Sequence, residues 1–314
     1  MTAPIVAIQM DPPHRLNPKG DSTIALGLEA QRRGYRLFCY TPDTLSYDQG
    51  RITARGEFAC FTENPNHWYD AEKATTLDLR EARIILLRQD PPFDMAYITT
   101  TYLLERLQNH GVLVVNNPRS VRDCPEKWLV TEFADFIPPT LISADPQALT
   151  AFKTQHRDVV IKPLYGHGGN AVFRLGEHDG NFNALVEYML AKSPEPVIAQ
   201  AFLPEVKDGD IRVILADGQF AGAVRRMPGE GEIRSNFRVG GTGAVAELTD
   251  RQNAALAAIA PVLKEKGLIF AGLDLIGDYV TEINVTSPTG LRNIRDLSGI
   301  QPEMALWDAI EARL

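Results

Sequence analysis

IKPLYGHGGNAVFRL, residues 161–175, is the stretch whose reading decides the fold of this chain. Gly166, Gly168, Gly169 and Ala171 mimic the spacing of a dinucleotide-binding fingerprint. That fingerprint needs a helix directly after the glycines, because the helix N-terminus receives the pyrophosphate. Here AVFRL follows, which is β-branched and aromatic and predicts a strand. A dinucleotide-binding turn is therefore excluded. No Gly-Lys-Ser/Thr follows the glycines, so a P-loop is excluded as well. What remains is a strand, a glycine loop and a second strand, with Lys162 at the end of the first. Glycines let backbone N–H groups approach phosphate oxygens, and a lysine adds a point charge. Read alone, the loop is equally well a plain hairpin turn.

A second stretch, VTEINVTSPTG (280–290), places Glu282 and Asn284 two apart on a predicted strand. Residues i and i+2 share a face, so Glu282 and Asn284 should project together with Val280 nearby, opposite Thr281, Ile283 and Val285. Two hard oxygen ligands on one face can hold Mg²⁺. A solvated polar face is the alternative for this motif alone. Asp274, in GLDLIG, lies on the preceding strand, and a hairpin pairing would bring it beside Glu282.

The 314 residues suffice for two or three domains, and 44% hydrophobic with 23% charged residues is ordinary globular composition. No apolar run approaches a membrane span, and MTAPIVAIQMDPP lacks the basic region and cleavage-like site of a secretory signal. Cys39, Cys60 and Cys124 are odd in number and widely spaced, which disfavours a disulfide framework or zinc and fits a reducing cytoplasm. A net charge of −8 disfavours nucleic-acid binding, so an acidic ligand must be met by a local basic cluster. The histidines show no metal spacing, and His167, inside the glycine loop, is expected to face solvent.

Along the chain, IVAIQM, a helix from Asp21 or Ser22 stopped by Gly34, and YRLFCY open as a βαβ unit. ARIILLRQD and GVLVVNNP add strands around a helix at 95–109. This predicts an α/β chain with an open, mostly parallel N-terminal sheet over residues 1–122. PEKWLVTEFAD reads as a helix with Lys127 in its first turn. Strands around the glycine loop and PVIAQAFL then predict a central unit over 123–203. IRVILADG, QFAGAVRRM, a helix over 249–266, the paired strands LIFAGLDLIGD and YVTEINV, and a terminal amphipathic helix make up 204–314, mostly antiparallel. Residues 228–244 are polar and glycine-rich and read as a mobile loop.

Lys127, then Lys162 with its glycine hairpin, then Asp274 and Glu282-x-Asn284 is the order found in ATP-grasp ligases. In MDPP, KGDST, EAQRRGY, RQDPPFD, NNPRSVRDCPEK, KPLYGHGG, KDGDIRV, GLIFAGLDLIGD, TEINVTSPTG and DAIEARL the chain resembles the prokaryotic glutathione synthetases over nearly its whole length. It departs at Tyr165, where that family usually has Asp, at Gly290, where a bulkier residue is common, and around Phe237 and Arg238.

The resemblance implies ATP-dependent ligation of γ-glutamylcysteine to glycine through an acyl phosphate, giving glutathione, ADP and phosphate, in a cytoplasmic homotetramer. It implies two Mg²⁺ ions, or Mn²⁺, on Asp274, Glu282 and Asn284. Lys127, Lys162 and the backbone of Gly166, Gly168 and Gly169 would meet the ATP phosphates, and Arg212 and Arg226 would be catalytic. The adenine would lie against Gln200, Ala201, Phe202 and Leu203, and Asp210 would take the ribose, with Glu205 or Asp208 as alternatives. Asp21, Ser22 and Arg88 would bind the dipeptide, while Asn236, Ser287 and Thr289 would help seat glycine. Two other readings compete: an ATP-grasp ligase with another donor or amine, and a catalytically silent nucleotide-binding protein.

Overall fold

A computed structural model of the chain describes residues 3–229 and 242–314. Its N-terminal sheet grows from the expected βαβ unit: β1 (Ile5–Gln9), α1 (Ser22–Arg32) and β2 (Arg36–Tyr40). Asp21 caps α1, accepting from Thr23 N at 2.6 Å, and Gly34 ends the turn beyond it at φ 86°. The next four strands are β3 (Leu45–Asp48), β4 (Arg51–Phe61), β5 (Tyr69–Ala71) and β6 (Thr75–Asp78). Then come β7 (Ala82–Leu87), α2 (Met95–Gln108), β8 (Leu113–Val115) and α3 (Pro118–Asp123). The sheet order is β3-β4-β2-β1-β7-β8, with β5 and β6 also on β4.

Strands β2, β1, β7 and β8 are parallel, as expected. The strands over 45–78 form an antiparallel flank that the expectation of a mostly parallel sheet leaves out, so the sheet is mixed. Their signal is weak because β4 turns small residues inward, Ala54 and Gly56 among them. A Cβ at Gly56 would sit 2.3 Å from the Cys39 carbonyl oxygen, so β4 crosses β2 where only glycine fits.

PEKWLVTEFAD is not an α-helix. Residues Leu129–Phe136 form 3₁₀ turns kinked at Phe133, and Lys127 lies before them. The cause is a tether at the start of the segment. Ile283 N donates to the Glu126 carbonyl at 3.0 Å and Thr286 Oγ1 to the Glu126 carboxylate at 2.7 Å, so this end is held like an extra strand partner.

The central unit comprises β9 (Thr140–Ser143), α4 (Pro146–His156), β10 (Val159–Pro163), β11 (Phe173–Leu175), α5 (Phe182–Lys192) and β12 (Val197–Ala201). Its antiparallel sheet runs β11-β10-β12-β9. Leu149 of α4 and Phe182, Val186 and Met189 of α5 bury Val159, Ile161 and Val197 in a core of their own. The third sheet, β15-β14-β13-β16-β17, uses β13 (Asp210–Ala216), β14 (Gln219–Met227), β15 (Thr242–Val245), β16 (Phe270–Ile276) and β17 (Tyr279–Asn284). Part of the expected loop over 228–244 is thus edge strand β15, and its residues 230–241 lie outside the described residues.

Helix α6 (Asp250–Glu265), started by a Thr249–Gln252 capping box, covers one face of this sheet. Val213, Leu215, Leu273 and Leu275 share its core, which also reaches the N-terminal sheet. Helices α7 (Leu291–Ser298) and α8 (Pro302–Glu311) cover Ile214, Ala216 and Val224 on the other face. Alternation along β13 therefore buries apolar residues on both sides, leaving Arg212 on the same face as Ile214. Helix α8 also closes the chain onto its own start. Trp307 Nε1 donates to Leu26 O at 2.9 Å, and the Trp307 ring stacks on Tyr35 at 5.3 Å.

Candidate active site

The central and C-terminal sheets face each other across a cleft of about 260 Å³ that reaches Asp90 and Pro91 at the end of β7. The glycine hairpin closes one side. As the sequence predicts, β10 leads through the glycines into an antiparallel strand, with Ile161 opposite Phe173. Gly168 and Gly169 adopt φ of 64° and 76°, which disfavour any side chain. His167 is half-buried and lines the cleft, against the expectation of solvent exposure. Tyr165 stacks on Phe93 at 6.0 Å, tying the hairpin to the N-terminal domain.

The opposite wall is a ladder of charge. Asp274 and Glu282 are direct cross-strand partners on β16 and β17. One β-bulge corrects the simple alternation expected of β17. Leu275 pairs with Val280 and Asp274 with Glu282, so Thr281 is the extra residue. Val280 accordingly joins Ile283 and Val285 in the core rather than sharing the Glu282 face, while Thr281 lines the cleft and donates to Asp274 O at 3.1 Å.

Arg212 grips Asp274 through Nε at 2.6 Å and Nη2 at 2.8 Å. Arg226 reaches Asp274 at 2.8 Å and holds Asp210 with two bonds at 2.6 and 2.7 Å. Lys162 and Lys127 lie 3.0 and 3.5 Å from Glu282, and Lys127 also donates to the Gly166 carbonyl. Four cations therefore face three carboxylates: Lys127, Lys162, Arg212 and Arg226 against Asp210, Asp274 and Glu282.

Burial alone would push Asp274 and Glu282 up. The arginines at Asp274 and the lysines at Glu282 outweigh it and hold both below the usual carboxylate range. Lys162 is lowered by the same burial. Glu126, absent from the residues the sequence marks, also lines the cleft, and burial raises its carboxyl. Its only sequence signal is adjacency to Lys127.

Asn284 completes the acidic group. Its Nδ2 donates to Gly272 O at 3.2 Å and to Asp274 at 3.3 Å. Among the described residues no three His, Cys, Asp or Glu side chains gather as a metal site. Two carboxylates and an amide do suit Mg²⁺, which commonly takes one or two carboxylates and completes its shell with phosphates and water.

Gln200, Ala201, Phe202 and Leu203 line the cleft where β12 leaves the sheet. Ala201 N and Phe202 N are bonded to Pro139 O and Asp158 O at 2.9 Å, whereas Leu203 N–H has no acceptor among the described residues. Ser287 and Thr289 line the cleft too, and Thr289 O accepts from Arg212 at 2.9 Å. Asp21, Ser22 and Arg88 sit behind that turn rather than in the cleft wall. Ser22 Oγ accepts from Leu291 N at 3.3 Å, and Arg88 donates to Pro288 O at 3.0 Å and to Thr23 at 3.2 Å. Arg88 Nη1 is buried without a partner among the described residues. Asn236 lies outside the described residues.

Two antiparallel sheets gripping a cleft, one carrying a glycine hairpin and the other paired carboxylates beside arginines, define an ATP-grasp ligase. Solved structures agree on the fold. A D-cycloserine synthetase matches with TM-score 0.69 at 18% identity, covering 98% of this chain and 99% of that one. The ATP-grasp ligase PsnB with its minimal precursor matches with TM-score 0.64 at 18% identity, covering 100% and 99%.

Residues 126–299 match the family model of the prokaryotic glutathione synthetase ATP-grasp domain, and residues 5–122 that of its N-terminal domain. The chain is 48% identical to a glutathione synthetase of Rhodopseudomonas palustris over 308 residues, 98% of each chain. It is 49% identical to that of Brucella melitensis over 308 residues and 42% to that of Vibrio parahaemolyticus over 310, again covering 98% of each chain. This chain belongs to the prokaryotic glutathione synthetase family, and it is an ATP-dependent ligase. Among the described residues no helix is long and apolar enough to cross a membrane.

Proposed function

We propose that the cleft joins γ-glutamylcysteine to glycine, converting ATP to ADP and phosphate and releasing glutathione. One observation carries the reading: Asp274, held by both Arg212 and Arg226, stands opposite Glu282, which faces both Lys127 and Lys162. Two arginines at the acidic end suit a reaction that builds negative charge there, as phosphoryl and acyl transfer do. In this reading the cysteinyl carboxylate attacks the γ-phosphorus, the bond to ADP breaks, and an acyl phosphate forms. The glycine amine then attacks the acyl carbon, and phosphate leaves as the amide forms.

Phosphoryl transfer depends chiefly on positioning and charge neutralisation. Lys127, Lys162 and the backbone of Gly166, Gly168 and Gly169 would hold the phosphates. Arg212 and Arg226 would stabilise the acyl phosphate and the developing oxyanion. Asp274, Glu282 and Asn284 would hold two Mg²⁺, or Mn²⁺, which would neutralise phosphate charge when bound. The Leu203 N–H is the donor left for the adenine edge. Asp210 would meet the ribose by loosening part of its grip on Arg226. Asp21, Ser22, Arg88, Asn236, Ser287 and Thr289 would act on the peptide and glycine, and the working unit would be a cytoplasmic homotetramer.

A panel of donors and amines, read by ADP release, tests the assignment. Release should require γ-glutamylcysteine and glycine together. Release with D-alanine or glutamate, but not with that pair, leaves the ligase class standing and removes this substrate assignment.

A further inference from the structure

The N-terminal domain carries a second cavity, of about 210 Å³, lined among others by Asp11, Tyr40, Thr41, Arg55, Glu57 and Tyr69. It lies where β1 and β2 end, the edge at which open α/β sheets receive ligands. The lining is amphoteric. Asp11 and Glu57 offer carboxylates, and Tyr69 Oη donates to Glu57 at 3.0 Å, fixing it in place. The Arg55 guanidinium, two residues from Glu57 on the same face of β4, has no partner among the described residues. Tyr40 is 3% exposed and its hydroxyl has no hydrogen-bond partner among the described residues. A buried polar group left in that state calls for a ligand or an ordered water.

The cavity is coupled to the main cleft. Asp11 Oδ2 accepts from Asp90 N at 2.8 Å, and Asp90 lines the cleft. The order β2-β1-β7 places the cavity two strand spacings from the end of β7, about 10 Å. An extended dipeptide spans roughly 7 Å, and a γ-linkage lengthens it by two methylene steps, about 2.5 Å.

We propose that this cavity seats the α-amino-acid head of the acyl donor, with Asp11 and Glu57 on the ammonium and Arg55 on the carboxylate. The proposal rests on the dipeptide reading of the cleft. It explains how a donor is measured by its far end while its other carboxylate enters the cleft on the Asp90 side.

Arg55→Ala and Glu57→Gln test it, with thermal melting to confirm folding. Arg55→Ala should raise the donor KM, and the donor Kd by calorimetry, about 10- to 100-fold, with KM for ATP and glycine within about twofold of wild type. Wild type should strongly prefer γ-glutamylcysteine to glutarylcysteine, which lacks the α-amine, and Glu57→Gln should narrow that preference. Folded Arg55→Ala and Glu57→Gln proteins with unchanged donor KM, Kd and preference overturn the proposal, even if wild type turns over normally. If wild type does not turn over or bind the dipeptide at all, the dipeptide reading fails first and takes this seat with it.

Discussion

Arg226 stands between two carboxylates, Asp210 and Asp274, and that position governs what its replacement should do. Arg226→Ala strands Asp210 and leaves Asp274 to Arg212 alone, and breaking a buried pair in this way costs about 3–5 kcal/mol. Arg226→Lys keeps the charge but cannot span both partners with a planar fork. The lysine variant should therefore keep the fold, bind ATP almost normally and lose about 10² to 10³ in kcat. Steady-state kinetics beside nucleotide calorimetry would check this, and near-normal turnover would remove Arg226 from the chemistry. Glu282→Gln should likewise stay folded and lose turnover, since a neutral amide holds a divalent ion poorly. Substantial activity at ordinary Mg²⁺ would end its role as a ligand. At this scale the sequence was legible wherever chemistry follows from spacing. Spacing marks Lys162, Asp274, Glu282 and Asn284, the family resemblance alone marks Arg212 and Arg226, and the structure gathers all six. Glu126 is not marked, because a glutamate beside a lysine on a supposed helix resembles any solvated pair. Only burial shows otherwise.

Among the elements, the β13–β14 hairpin sets the charge ladder, and its first pair is Asp210 with Arg226. Gly209, just before it, has φ 87°, and a Cβ there would lie 2.5 Å from the Arg226 carbonyl oxygen. Gly209→Ala should therefore destabilise the protein by about 1–3 kcal/mol, through backbone strain and through displacement of the Arg226 strand. A urea midpoint would show it, and an unchanged midpoint would mean the hairpin relaxes freely. The glycine hairpin was readable because β-branched residues after the glycines rule out a helix. The bulge at Thr281 was not. Alternation carries no mark of one inserted residue, and the bulge decides that Thr281, rather than Val280, faces the cleft. Strand β4 escaped notice for a related reason, since Ala54 and Gly56 bury a face without a hydrophobic signature.

At the scale of the whole molecule, one buried asparagine joins the two halves. Asn116, after β8, donates to Phe270 O and Val285 O at 2.7 Å and accepts from Phe270 N at 2.7 Å. Asn116→Leu would leave three buried backbone groups unpartnered, each worth about 1–3 kcal/mol. The variant should melt well below wild type, and a melting point close to the wild-type value would show that water replaces the amide. Nothing in VVNNP marks Asn116 as a joint rather than a loop residue, and the return of α8 onto α1 was equally hidden. A helical face shows that it must be buried, not against what. The net charge of −8 was readable, together with the need for a local cationic cluster, which the cleft supplies. The central claim is that this cluster activates a carboxylate by moving phosphate onto it from ATP. Donor dipeptide labelled with ¹⁸O in its cysteinyl carboxylate tests it most directly. Turnover with glycine should place one ¹⁸O in each inorganic phosphate released, with ADP unlabelled. Unlabelled phosphate, or label appearing in AMP, would contradict the acyl phosphate and the account built on it.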